Sequence, residues 1–445
     1  MKQPKGPAER VAVLGGGVAG VTAAAVLAAE GGRDVHLFEM RDRLGGLQRT
    51  ETIDGLGYDI GAFLFEPNYG LLDLIPPLRS HFEEFQERIC LLAESSRIHA
   101  YPPDLGMVIA EAGWRGLLAT LRDFAVDRVC LRSCRESSLE TAARWSMGGY
   151  LYRRSGLKRY VERLNRLPDS LVGAKFARQR FPRPEVRLLL RALIHRISAG
   201  RGGADLSYRT LRTREGFGPV FAEVEKVLRG HGVRIHLSSR VEAIRREETS
   251  FVVATESEEY RIDRVVSTIP VCEALRLAGG EPAVEAETIA LRSVFFRAPS
   301  SGGWTLLYNH TRDGEWKRLV RHAPADGEGP LARFTAEITV GDGASEDREA
   351  VWSDTVDHLR RYRVFDGPVE RVGSVLTPQA YPLFRVGLEA AVDAEVRRLE
   401  KLGIATVGRQ GRHDYLVSSE AFGSARRLAS RMIGSGAATM GPFPY

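Results

Sequence analysis

Hydrophobic positions alternate between two styles along this chain, unbroken apolar runs next to glycines and longer stretches of helical period. Residues 11–14 form a short, wholly apolar run of strand type, cut off by Gly15, Gly16 and Gly17, with Gly20 following. The alanine-rich stretch 21–29 then reads as a helix stopped by Gly31 and Gly32. A second apolar run, 35–38, delivers Glu39 about 20 residues beyond the last glycine of the triplet. A polar start with Lys2, Lys5 and Arg10 before a long apolar stretch also has the outline of a secretory signal peptide. A leader, however, has no need of glycines in G-x-G-x-x-G order. A dinucleotide site does: Gly15 makes the tight turn, Gly17 lets the backbone approach a pyrophosphate, and Gly20 lets helix and strand pack closely. The helix start adds free N–H groups aimed at phosphate. The spacing therefore predicts a nucleotide-binding strand–turn–helix–strand unit.

Past Glu39, Arg43 precedes Gly45-Gly46, and Asp54-Gly55 and Asp59-Ile60-Gly61 close an extended stretch. From 71 to 204 the period turns helical in "LRSHFEEFQERICLLAESS", "GWRGLLATLRDFAVDRVCL", "GLKRYVERLNRL" and "PEVRLLLRALIHRIS", the last of which holds His195 as a structural residue. "REGFGPVFAEVEKVLRGHGVRIHLSSRVEAI" restores helix followed by strand, with Pro219 in the first helical turn and a further strand from Val241. "FVVATESEEYRIDRVVSTIP" predicts a hairpin and then an apolar strand. Between 288 and 382 alternating runs predict an antiparallel sheet, with a helix near 347–362. The end supplies a strand at 404–407, a loop at Gly408-Arg409-Gln410-Gly411, and a helix whose N-cap is Ser418 or Ser419. The expected architecture is α/β with α+β inserts. A Rossmann-like domain is assembled from the discontinuous segments 8–70, 205–285 and 385–445, with a helical insert at 71–204 and an antiparallel-sheet substrate domain at 286–384.

Composition narrows this little. A chain of 445 residues, 43% hydrophobic and 27% charged, is that of a soluble globular protein with room for two or three domains. No apolar stretch is long enough to span a bilayer. Cys90, Cys130, Cys134 and Cys272 make neither a disulfide framework nor a zinc spacing, and read as thiols of a reducing cytoplasm. No His/Cys/acid cluster points to a metal. A net charge of +6 is a mild excess at this length. Arg153-Arg154, Lys158-Arg159 and Arg426-Arg427 read as solvated helix faces and not as a nucleic-acid stripe. That charge leaves open an anionic substrate and peripheral contact with an anionic membrane.

The glycine triplet, "RLGGL", "DGLGYDIG", "EGFGPVFAEVEKVLRGHGVRIHLSSRVEAI", "DRVVSTIP" and "GRQGRHDYLVSSEAF" occur in the order seen in FAD-dependent amine-oxidase-like flavoproteins, which this chain resembles over most of its length. That superfamily includes protoporphyrinogen oxidase, the phytoene desaturases and UDP-galactopyranose mutase. The resemblance implies FAD as the cofactor. It places Gly15, Gly17 and Gly20 at the pyrophosphate turn, Glu39 on the adenosine ribose, and Arg43, Gly45 and Gly46 along the cofactor. It puts Val241 beside adenine, Gly408 and Arg409 beside the isoalloxazine ring, and the helix after Ser419 with its N-terminus aimed at that ring. A helix dipole or an arginine there favours the negative charge of reduced flavin. Two departures stand out. Val417-Ser418-Ser419 replaces an Asn-Met-Asp stretch of many relatives, and Phe63 stands where mutases tend to carry a histidine.

Three functions follow from these readings. The first is an FAD-dependent oxidoreductase in which a small substrate gives a hydride to flavin. The second is a mutase-like, non-redox enzyme on a nucleotide sugar, with Arg318, Arg321 or Arg409 supplying cations for a diphosphate. The third is a flavin-fold binding or scaffold protein without catalysis. Arg409, His413 and Tyr415 are the candidate catalytic residues; Tyr415 and Tyr381 either face the flavin pocket or pack in the core with satisfied hydroxyls. His413 is either a proton donor or a histidine of a polar loop, on the surface or supporting the pocket from behind.

Overall fold

The computed structural model describes residues 8–180, 207–299, 302–324, 329–341 and 347–434. At its centre five parallel strands lie in the order Ile404–Thr406, Arg264–Ser267, Arg10–Leu14, Asp34–Phe38 and Arg234–His236. Strands covered on both faces read as continuous apolar runs, and that is what these stretches show. The helices Val18–Ala29, Phe217–Gly230 and Ser418–Gly434 cover one face, burying Val21, Leu27, Val224, Leu228 and Leu428. Val18–Ala29 is buried on all sides from Val18 to Ala28, and its alanines let it pack tightly against the C-terminal helix. The other face carries an antiparallel sheet of Val241–Arg246, Phe251–Thr255 and Glu259–Ile262, together with the helices Val271–Leu277 and Glu389–Lys401. This α/β core is drawn from three separated stretches of chain.

A second sheet runs in the order Glu370–Pro382, Thr288–Pro299, Leu331–Val340, Trp316–Arg321, Leu306–Asn309, Phe82–Leu92 and Ile98–Ala100, with Ser207–Thr213 also paired to Phe82–Leu92. Neighbours are antiparallel except Leu306–Asn309 beside Phe82–Leu92. The sheet therefore takes strands from the segment expected to be largely helical, and this corrects the reading of "LRSHFEEFQERICLLAESS". Its Phe82, Phe85 and Ile89 mimic a helical period. Pairing on both sides overrides that period, and buried Glu87 is satisfied by Thr210 and Arg212 on a neighbouring strand and by Thr305 just before another.

Helices do follow: Leu105–Cys130, Leu139–Met147, Gly149–Arg154, Leu157–Asn165 and Ala174–Arg180. The last three and Leu139–Met147 share a core of Leu139, Tyr152, Leu157, Val161, Leu164 and Phe176. The helix expected over "PEVRLLLRALIHRIS", with His195, lies outside the described residues. Among the described residues no helix is long and apolar enough to cross a membrane.

Candidate functional site

A cavity of about 550 Å³ lies between the parallel-sheet core, the second sheet and the helices. The C-terminal ends of the first two parallel strands open onto it through Gly15–Gly17 and Glu39. This is where open α/β sheets place their ligands. Gly20 shows why that turn is built of glycine, since a Cβ there would lie 1.8 Å from the Gly15 carbonyl oxygen. Gly17 differs. A Cβ on it would meet nothing nearer than the Gly46 Cα at 3.8 Å, so its missing side chain leaves cavity space open.

Glu39 is buried, and its carboxylate accepts from the Gly16 N–H at 2.7 Å and the Arg41 N–H at 2.9 Å. A carboxylate has about four acceptor positions, so capacity remains for hydroxyls in the cavity. Gly45 and Gly46 line the wall beside the helix start. An open backbone turn, a helix N-terminus and a half-committed buried acid fit the pyrophosphate and ribose of a dinucleotide.

The expected residues divide. Gly15, Gly17, Glu39, Gly45, Gly46, Gly408, Arg409 and Tyr415 line the cavity, and Gly20 supports the turn from behind. Arg43 does not line it: its side chain is 57% exposed and sits near Asp42, while Arg41, two residues earlier, lines the wall. The sequence gives no direction for the turn that chooses between these arginines. Val241 is buried in the hairpin sheet opposite Thr255 and is absent from the lining. The C-terminal helix begins at Ser418, so Val417 precedes it, and the Glu420 carboxylate accepts the Val417 N–H at 2.8 Å. Ser418 faces the cavity and binds Gln48 at 2.8 Å, whereas Ser419 is not part of the wall. His413 also stands back. It is 4% exposed, its Nε2 lies 3.2 Å from the Leu383 carbonyl oxygen, and burial lowers its pKa. It does not line the cavity.

On the far side the wall is aromatic and basic. Tyr101, Tyr160, Tyr308, Tyr381 and Tyr415 line it, with Tyr381 and Tyr415 stacked at 5.6 Å between ring centroids and 13° between planes. Arg409 donates to the Leu416 carbonyl at 2.9 Å and to the Ala380 carbonyl at 3.3 Å, tying the two tyrosine-bearing segments together. Arg180 lies over the Tyr415 ring at 4.3 Å and donates to the Tyr415 carbonyl, while its buried Nε has no partner among the described residues.

Behind Tyr381 sits a charged cluster that the sequence reading named only in part. Glu337 is fully buried and accepts from Arg318 at 2.6 Å, Lys317 at 2.8 Å and the Ala62 N–H at 2.7 Å. Lys317 also donates to the Tyr381 hydroxyl at 2.9 Å. Burial alone would raise the Glu337 carboxyl, but Arg318 and Lys317 hold it down to about 2. Burial raises both Tyr381 and Tyr415, so these hydroxyls keep their protons. Two cations share one carboxylate, and Arg318, which lines the cavity, carries the uncompensated charge to its wall. The signal in the sequence was charge on two otherwise apolar strands, two cations in "KRLV" and one acid in "TAEITV".

A family model for flavin containing amine oxidoreductases matches residues 18–298. The coproporphyrinogen III oxidase of Mycobacterium leprae (strain TN) is 31% identical over 170 residues, which span 37% of this chain and 37% of that protein's length. Among solved structures, a reduced UDP-galactopyranose mutase is 14% identical with a TM-score of 0.79, covering 97% of this chain and 96% of its own. A wild-type putrescine oxidase bound to putrescine is 15% identical with a TM-score of 0.59, covering 96% of this chain and 100% of its own.

Proposed function

The chain belongs to the flavin containing amine oxidoreductase family, and on that premise we propose that it is an FAD-dependent oxidoreductase acting on a small organic anion. One observation carries the reading: the glycine turn with Glu39 and the tyrosine–arginine wall belong to a single cavity. When bound, FAD supplies the hydride acceptor. Gly17 and the helix it caps bind the pyrophosphate, and Glu39 binds the ribose. Arg318 and Arg180 bind the anionic group of the substrate, where a guanidinium in a water-poor wall is worth more than on the surface. Tyr381 and Tyr415 hold the apolar part of the substrate and exclude water. Lys317 and Glu337 fix the Tyr381 hydroxyl from behind. Glu337 itself, held ionised by two cations, is too weakly basic to take a proton from substrate.

A mutase-like, non-redox reading is favoured by one specific likeness, the TM-score of 0.79 to the reduced mutase, together with arginines that suit a diphosphate. Anaerobic mixing of the purified holoprotein with carboxylated amines and other organic acids, followed in the visible spectrum, tests the proposal. Bleaching of the flavin bands by one of them supports the oxidoreductase. Turnover of a nucleotide sugar only after prior reduction, with no net oxidation, supports the mutase. A protein without flavin bands even after FAD is supplied defeats both.

A further inference from the structure

The helix Leu105–Cys130 breaks at Gly113, whose φ of 61° and ψ of −163° are not helical, so a new helical face starts at Trp114. At about 100° per residue, Trp114, Leu118, Leu121, Ala125 and Val129 fall within an arc of about 80°. At 1.5 Å of rise per residue they run along about 22 Å. Gly116, Thr120 and Asp127 occupy the opposite, buried face. The outer row is open: Trp114 is 66% exposed, Leu118 54%, Leu121 51% and Val129 77%. Scattered apolar residues on a surface need no explanation, but a contiguous row opposite a helix's buried face does.

Its surroundings are basic. Arg115 and Arg122 border the row, Arg132 and Arg135 extend from its end, and Arg153 and Arg154 stand on the adjoining helix Gly149–Arg154. Among the described residues the facing acids are few. Asp123 is paired with Arg122 and Arg153, Glu136 with Arg135 and Arg178, and Glu111 with Ser95 and His99.

We propose that this face docks the protein on an anionic membrane surface, with the row from Trp114 to Val129 in the headgroup boundary and the arginines on the lipid charges. An interfacial helix combines these two features. A second copy fits the face less well, because a two-fold axis would bring the same arginine border against itself. The proposal is independent of the flavin reading.

The test is co-sedimentation of the full chain with vesicles of phosphatidylcholine alone or mixed with phosphatidylserine, at low and high salt. The protein is expected to pellet with the anionic vesicles and to be released by salt. The triple variant Trp114→Gln/Leu118→Gln/Leu121→Gln is expected to lose binding about tenfold or more. Arg115→Gln/Arg122→Gln is expected to lose about thirtyfold, at about tenfold per 1.4 kcal/mol and about 1 kcal/mol per arginine. All five side chains are exposed, and an unchanged thermal transition certifies each variant as folded. Wild-type protein that stays in the supernatant with both vesicle types overturns the proposal, as does binding unchanged in both variants. So does a wild-type dimer that the triple variant converts to a monomer without any vesicle binding, which would assign the row to a second copy.

Discussion

Replacing Gly17 and Gly20 by alanine, one at a time, separates two jobs that glycines do in the first turn. Gly17 has φ −75° and ψ −179°, a conformation open to any residue, and a Cβ there meets only the Gly46 Cα at 3.8 Å. Alanine reduces the freedom of the unfolded chain, a gain of about 0.4–1 kcal/mol. It is also a poorer N-cap by about the same amount. The two effects offset, so the apoprotein's stability is expected to change by about 0.5 kcal/mol or less. The methyl group instead stands where the backbone must meet phosphate. One lost charge-assisted hydrogen bond, about 1.5–3 kcal/mol, weakens FAD about 10- to 150-fold. At Gly20 the Cβ would lie 1.8 Å from the Gly15 carbonyl oxygen, a backbone atom that cannot move aside without parting strand from helix. About 3 kcal/mol or more of stability is expected to go, whether or not FAD is present. Thermal unfolding of the apoproteins and flavin titration by fluorescence distinguish the two. Wild-type FAD affinity in Gly17→Ala would refute the assignment of the turn, and a wild-type transition in apo Gly20→Ala would refute the packing argument.

Other substitutions probe the rest of the cavity. Glu39→Gln keeps one acceptor oxygen and is expected to weaken FAD about tenfold, whereas Glu39→Ala also strips the Gly16 and Arg41 N–H groups of their acceptor and lowers the melting temperature. Arg318→Gln leaves Glu337 paired with Lys317, so flavin content should hold while KM for an anionic substrate rises about 10- to 100-fold in steady-state kinetics. The Glu337 carboxyl is held at about 2 in the folded chain against an ordinary value of 4.5. Its stabilising contribution is therefore full above pH 4.5 and fades as pH falls towards 2, a slope that denaturant melts should show and that Glu337→Gln should flatten. That variant also leaves buried Lys317 without its carboxylate, at a cost of about 3 kcal/mol near neutral pH. His413→Asn tolerates the residue's positive φ and should cost about 1 kcal/mol in melts, with the pH profile of flavin reduction unmoved.

What could be read in advance followed from local rules. The first turn, the three-part parallel core and the late antiparallel strands were legible because glycine spacing and apolar period act within a few residues. Phe82–Leu92 misled because its acids and spaced aromatics suit a helix; Ile98–Ala100 pairs only with its end, and most of its length is made a strand by partners more than a hundred residues away. In the cavity, Arg41 and Arg43 are equivalent in sequence until the turn sends one inward and the other to solvent. Lys317 and Glu337 lie on different strands, so their meeting depends on sheet register, which no short window contains. His413 looked available in a polar loop, yet packing against Phe384 and Leu383 encloses it.

The order of the parallel strands also bears on how the protein is made. Arg10–Leu14 leaves the ribosome before the other parallel strands, but one neighbour, Arg264–Ser267, follows some 250 residues later, and Ile404–Thr406 pairs onto that. The cavity wall needs Thr268, Gly408 and Ser418 as well as Gly15. At synthesis speeds of about 5–20 residues per second, the nascent turn waits tens of seconds for its missing neighbours. A cofactor held by this wall would therefore load only after Gly408 and Ser418 have been made, and chains stopped short of Gly408 have no complete wall to close around it.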